Sequence, residues 1–196
     1  MSILIAGVDE VGIGCLAGPV YAAAVIFHPD KKIYKLRDSK MLTAKEREYL
    51  AARIYAKALA VSIGQASVEE IDQLNIYHAN LLAMQRAIAG LTVQPQHVLI
   101  DGKAKPIIDL SIETIVGGDR LVPVISAASI IAKVARDQVM TALPEEFAHY
   151  KFASHKGYAT KMHVQLLRKY GPCVLHRHAF IKKYFPSSTD DNPTIG

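Results

Sequence analysis

Two short apolar runs, at residues 3–8 and 20–27, are joined by a link carrying Gly12, Gly14, Gly18 and Pro19, and this arrangement constrains the fold more than any other feature. Runs of this length bounded by turn residues read as buried strands. The glycines and the proline between them predict a tight reversal, so the two runs pair as an antiparallel hairpin. The first run leads directly into Asp9-Glu10. Two adjacent acids at the end of a core strand are costly unless something offsets their charge.

The pattern continues with a third strand over 58–67 and further strands over 97–100 and 112–116. The last two run toward Asp101-Gly102 and Asp119. A helix begins after Thr43, with Lys45, Glu46, Arg47 and Glu48 outward and Leu50, Ile54 and Ala58 inward; Thr43 and Glu46 form a candidate capping box. A second helix is expected over 75–89, burying Ile76, Leu81, Leu82, Met84 and Ile88 and ending at Gly90. The alanine-rich run 126–140 predicts a helix able to lie close against a sheet, and another helix covers 160–169, ending at Gly171-Pro172. Strands followed by alternating strands and helices indicate an α/β domain with a mixed sheet whose opening strands are antiparallel. With 196 residues and about half of them apolar, the chain is long enough for one sizeable core, so residues 1–186 are read as a single domain and 187–196 as a disordered polar tail.

The 23 Lys and Arg against 18 Asp and Glu favour an anionic partner without specifying one. Cys15 and Cys173 are too few for a disulfide framework, the N-terminus does not read as a secretory signal, and the longest apolar stretch, 15–27, is too short to span a bilayer. A cytoplasmic monomer with no membrane association is expected. Cys173, His176 and His178 do not make a closed zinc site, which needs four ligands; that segment reads as a basic surface stretch.

Carboxylates converging at strand ends suit magnesium or manganese, which prefer a few hard oxygen ligands with water and phosphate filling the rest. Two such ions about 4 Å apart can support phosphodiester cleavage. Taken singly, Asp9-Glu10 could equally cap a turn, Asp101-Gly102 is also a turn signal, and Asp119 after Gly117-Gly118 could close a loop. Spacing alone does not bring the four together.

The wording around them does more. "GVDEVGIGCLAGPVYAAAV" at 7–25 resembles the signature of the ribonuclease HII family, Asp-Glu-x-Gly-Arg-Gly followed by Leu-Ala-Gly-Pro-Val. "RDSKMLT" at 37–43, "VLIDGK" at 98–103, "GGDRLVPVISAASIIAKVARD" at 117–137 and "YKFASHKGYATKMH" at 150–163 are similar to its later blocks, in order. The resemblance implies a ribonuclease H-like fold: a five-stranded mixed sheet with its first three strands antiparallel, flanked by helices, and a C-terminal helical extension. It further implies Mg2+ or Mn2+ as cofactor, two ions held by Asp9, Glu10, Asp101 and Asp119, with Asp137 a helix-surface residue outside the set. RNA–DNA hybrids and duplex DNA with embedded ribonucleotides are the implied substrates. Gly12, Ile13, Gly14, Ser39, Lys40 and Tyr158 fall at its substrate-contact positions, and Lys156, Lys161, Arg168 and Lys169 could extend a basic track. This chain departs from the pattern at Ile13, where the family has Arg, and at Gly117, where it usually has Lys. A binding module that has lost catalysis, and another nuclease on the same fold such as an integrase-like or junction-resolving enzyme, are the competing readings.

Overall fold

The computed structural model describes residues 3–33, 36 and 39–185; the expected tail lies outside these residues. Strand β1 (Ile5–Val11) and strand β2 (Val20–Phe27) form the anticipated antiparallel hairpin, with Asp9 opposite Ala23. Helix α1 (Ala44–Lys57) follows, its N-terminus closed by Thr43 and Glu46 in a reciprocal capping box. Strand β3 (Ala58–Ala66) pairs antiparallel with β2. After helix α2 (Val68–Ala89) the chain crosses to β4 (His97–Asp101), parallel to β1, and then to β5 (Ser111–Ile115), parallel to β4. The sheet order is β3-β2-β1-β4-β5, the mixed five-stranded arrangement expected.

Strand alternation divides the core in two. Ala6, Val8, Ala22, Ala24 and Ile26 meet α2 on one face. Ala23 and Val25 meet α1 and helix α4 (Pro123–Thr141) on the other, with Leu50, Ile54, Ala127 and Ile131 between them. Alanines at the centre of β2 let both helices approach. Gly7 permits the closest contact, since a Cβ there would stand 2.4 Å from the Val124 carbonyl carbon. Burial of each of the larger aliphatic side chains, such as Ile54 or Ile131, stabilises the sandwich by about 1.5–3 kcal/mol.

Several details differ from the sequence reading. Helix α2 starts seven residues early, at Val68 behind a Ser67–Glu70 capping box, and is broken at Asn75 (φ 65°). There the Asn75 side chain accepts from the Tyr77 and His78 N–H groups, so a new helical segment does begin where expected. Its buried stripe is mainly Ala79, Ala83, Met84, Ala87 and Ile88, while Leu81 and Leu82 are half-buried, because alanine is what fits against β3. Arg47 does not face outward: its guanidinium turns back onto the Ser39 and Leu42 carbonyls.

Beyond β5 come a one-turn helix α3 (Gly118–Leu121) and α4; the C-terminal part contains α5 (Phe152–His155), α6 (Lys161–Tyr170) and α7 (His178–Ile181). This part clasps the link between β1 and β2. Leu16 N–H donates to Gly157 O (2.8 Å), Gly18 N–H to Leu175 O (2.8 Å), and Arg177 N–H to Leu16 O (2.9 Å). Among the described residues no helix is long and apolar enough to cross a membrane.

Candidate active site

The parallel register of β1 and β4 pairs Val8 with Ile100, so Asp9 and Asp101 emerge side by side at the carboxyl end of the sheet. Strand β5 runs parallel beyond β4 and delivers the chain through Gly117 and Gly118 to Asp119 at the start of α3. Side-chain oxygens of Asp9, Asp101 and Asp119 all lie within 4.8 Å of one another. Carboxyl ends of parallel strands are the usual place for such convergence, since successive crossovers open a crevice there. Glu10 is not part of this threesome, but it sits close enough that its charge and that of Asp101 act on each other.

The electrostatics are those of acids crowded at the edge of a core. Burial, then the charges of Glu10 and Asp101, push the Asp9 carboxyl well above the usual carboxylate range. Burial, then Asp101, raises Glu10 to about 7, with Lys40 opposing the shift. One oxygen of Asp101 is buried with no hydrogen-bond partner. An acceptor in that condition, aimed among other acids, fits a cation better than it fits water.

Helix α4 braces the cluster from beneath. Ser126 Oγ donates to the Asp119 carbonyl (2.5 Å), and Ser129, which hydrogen-bonds to Asp9, is 2.9 Å from Ser39 Oγ. Ser39, expected at the substrate, is buried and supports Asp9 through Ser129. Lys40 extends its ammonium to 3.5 Å from Asp119 Oδ2 with most of its side chain in solvent. On the other side the Arg120 guanidinium lies 3.9 Å from Asp119 Oδ1, which places a cation near the position where Gly117 lacks one.

Gly12, Ile13 and Gly14 continue from the end of β1 as a ledge on which Ile13 and Gly14 are exposed and Gly12 is buried. Gly12 has φ 97° and lies on Arg136, so any Cβ there would stand 2.4 Å from Nε. Gly14 faces open space and the Ile13 side chain is partly exposed. Tyr158 pairs with Cys15 through the backbone and so sits against this ledge; Lys133 and Arg136 lie over its ring at 4.9 and 5.6 Å.

Two arginines that sequence reasoning passed over hold the arrangement together. Arg136 is fully buried and donates to Pro19 O (3.0 Å), Ala17 O (3.1 Å) and Lys156 O (2.8 Å). Arg177, equally buried, donates to Gly18 O (2.9 Å) and Ile13 O (2.9 Å). His176 and Arg177 are therefore core and not the basic surface expected, because the β1–β2 link closes over them, whereas His178 is exposed. Lys156 folds back on the protein, bonding Thr141 Oγ1 and Ala153 O, whereas Lys161, Arg168 and Lys169 are exposed on α6. Asp137 is tied to Lys133 (2.9 Å) and Arg47 (4.0 Å) and takes no part in the acidic cluster.

A mixed sheet of this order with acids at the ends of β1, β4 and the β5–α3 turn is the framework of a ribonuclease H-like nuclease. Superposition agrees: ribonuclease H2 from Pyrococcus horikoshii OT3 aligns with a TM-score of 0.75 at 22% identity over 93% of this chain and 97% of that one. The ribonuclease HII chain of the PCNA complex from Archaeoglobus fulgidus gives 0.77 at 25% identity over 96% and 100%. The Ribonuclease HII family profile matches residues 6–183. A Bordetella pertussis ribonuclease HII is 52% identical over 183 residues, 92% of this chain and 91% of that protein. One from Burkholderia mallei is 54% identical over 177 residues, 90% and 83%. The chain belongs to the ribonuclease HII family and is a hydrolase with ribonuclease H activity.

Proposed function

We propose that the protein hydrolyses the RNA strand of RNA–DNA hybrids and nicks duplex DNA on the 5′ side of single embedded ribonucleotides, leaving 3′-hydroxyl and 5′-phosphate ends. The observation that carries this reading is the meeting of Asp9, Asp101 and Asp119 within 4.8 Å, with Glu10 adjacent and a buried Asp101 oxygen left without a partner. The donor set is all carboxylate, which suits Mg2+ or Mn2+. Asp9, Glu10, Asp101 and Asp119 would hold two such ions, which when bound would supply the Lewis acidity that activates a water and stabilises the departing oxygen.

The chain's own groups do the rest. Ser129 and the Glu10 N–H fix the Asp9 carboxylate, the latter at 2.7 Å. Lys40 and Arg120 stand where a phosphate backbone would pass and position the strand without reading its sequence. Gly14, whose Cβ position faces open space, leaves room for a sugar to approach the backbone, and Tyr158 packs against that sugar. The 2′-hydroxyl, both donor and acceptor, is what such a site can use to distinguish RNA from DNA.

Three duplexes incubated with Mg2+ or Mn2+ test the reading: one all-DNA, one with a single ribonucleotide, one with a continuous RNA strand. Incision at the ribonucleotide and along the RNA strand, with the all-DNA duplex intact, is expected. Binding without cutting would indicate a module that has lost catalysis, and equal cutting of all-DNA duplex would indicate another nuclease on this fold.

A further inference from the structure

The C-terminal part buries three imidazoles that the cleavage chemistry does not use. His163 and His176 are fully enclosed, and His155 stacks on His163 with ring centroids 4.1 Å apart. Phe152 lies edge-on to His163, and Tyr150 edge-on to His176. Cys173 adjoins His176, and Lys156 is the charged group acting on His155.

Hydrogen bonding through this cluster has one possible direction. The Cys173 backbone N–H can only donate, and it meets His176 Nδ1 at 3.0 Å, so that nitrogen accepts and the neutral ring carries its proton on Nε2. His176 Nε2 faces His163 Nε2 at 3.1 Å. His163 must accept there and hold its own proton on Nδ1, from which it donates to the Tyr158 carbonyl at 2.9 Å. His155 is fixed in the same manner, accepting from Gly157 N–H at Nδ1 (3.2 Å) and donating from Nε2 to Tyr150 O (2.8 Å). A second proton on His163 would meet the His176 N–H, and one on His176 would meet the Cys173 N–H with only the weakly accepting Cys173 sulfur beside it (3.2 Å). Consistently, burial is the main cause that pushes both rings down to about 4.

We propose that His163 is a positioning residue for Tyr158, and that His176 and the Cys173 backbone serve to keep His163 in the tautomer that donates to the Tyr158 carbonyl. The inference rests on reading Tyr158 as the sugar contact. Tyr158 enters the ledge through its backbone: its N–H donates to His155 O (2.9 Å), and its carbonyl accepts from His163 and from Thr160 N–H (2.8 Å). The peptide that carries the ring is thus aimed by His155 and His163, and a donor enclosed by aromatic rings has no water to compete with it.

His163→Phe keeps the ring and removes both nitrogens. On a duplex with one ribonucleotide its KM is expected to rise about tenfold while kcat stays within about twofold, the effect of losing one enclosed hydrogen bond. Tyr158→Ala raises KM as well, and the double variant is no worse than Tyr158→Ala alone, because His163 acts through Tyr158. Additive losses, or an unchanged KM in His163→Phe, overturn the inference. An unchanged KM in Tyr158→Ala removes the sugar-contact reading first and this inference with it. Imidazole 15N spectra of the unaltered chain give an answer independent of variant folding. They are expected to show His163 protonated at Nδ1 and His176 at Nε2, neither titrating from about pH 8 to about pH 5.5. The opposite tautomer in either ring, or titration near pH 6.5, overturns it.

Discussion

Replacing Arg136 by Met separates the architecture of the ledge from the chemistry of the carboxylates. The guanidinium makes hydrogen bonds of 3.0, 3.1 and 2.8 Å to the carbonyls of Pro19, Ala17 and Lys156, which join the β1–β2 link to the C-terminal part. Hydrogen bonds from a charged donor contribute about 1.5–3 kcal/mol each, and an enclosed carbonyl left without a partner costs about 1–3 kcal/mol. Removing the burial cost of the charge offsets part of this, and a methionine refills much of the volume, so the net loss is set at about 4 kcal/mol. With a urea slope near 2 kcal/mol/M for a chain of this size, the unfolding midpoint falls by about 2 M. The variant that remains folded at low denaturant also binds ribonucleotide-containing duplex more weakly, while Mn2+ affinity is unchanged, since none of the four carboxylates touches Arg136. A midpoint shift equivalent to less than about 1 kcal/mol would refute the argument that this buried cation is what joins the two segments.

Other consequences follow from the same geometry. His163 and His176 have folded-state values near 4 against an ordinary value of 6.5, so the unfolded chain binds more protons between these limits. Their joint contribution is therefore full above about pH 6.5 and is lost as pH falls toward 4, on the order of a few kcal/mol for the pair; denaturant midpoints across that window check it, and His163→Phe flattens the dependence. Ile13→Arg restores a cation on the exposed ledge and is expected to lower KM severalfold at moderate salt and to steepen the salt dependence by about one phosphate contact. KM unchanged at several salt concentrations counts against a weakened strand grip in this chain. Gly12→Ala introduces a Cβ 2.4 Å from Arg136 Nε at a φ of 97°, and is expected to cost about 2 kcal/mol in stability and to reduce affinity for duplexes containing a ribonucleotide.

Much of the sheet was legible because its signal is local. Residues 3–8 and 20–27 are continuous apolar runs around a glycine-rich link, and Thr43 with Glu46 announces α1 within four residues. The start of α4 at Pro123 was harder, since "LVPV" reads as extended chain; proline is accommodated because a first-turn N–H has no helical partner to lose. The one-turn helix α3 leaves no periodic trace at all. Asp9, Glu10, Asp101 and Asp119 could be picked out by their wording, but their convergence depends on the parallel register of β1, β4 and β5, which no local pattern encodes. Arg136 and Arg177 were missed for a related reason. Their partners are carbonyls 20 to 164 residues away in sequence, and a buried arginine looks like a surface one until those carbonyls are in place.

Everything else depends on the crowded carboxylates forming a divalent-metal site. Calorimetric titration with Mn2+ of the wild-type chain and of Asp9→Asn, Asp101→Asn and Asp119→Asn measures it directly. Saturable binding in the wild type, weakened by about tenfold or more in each variant, is the expected result. Equal Mn2+ affinity in all four proteins would contradict it and would leave the meeting of these acids without a chemical purpose.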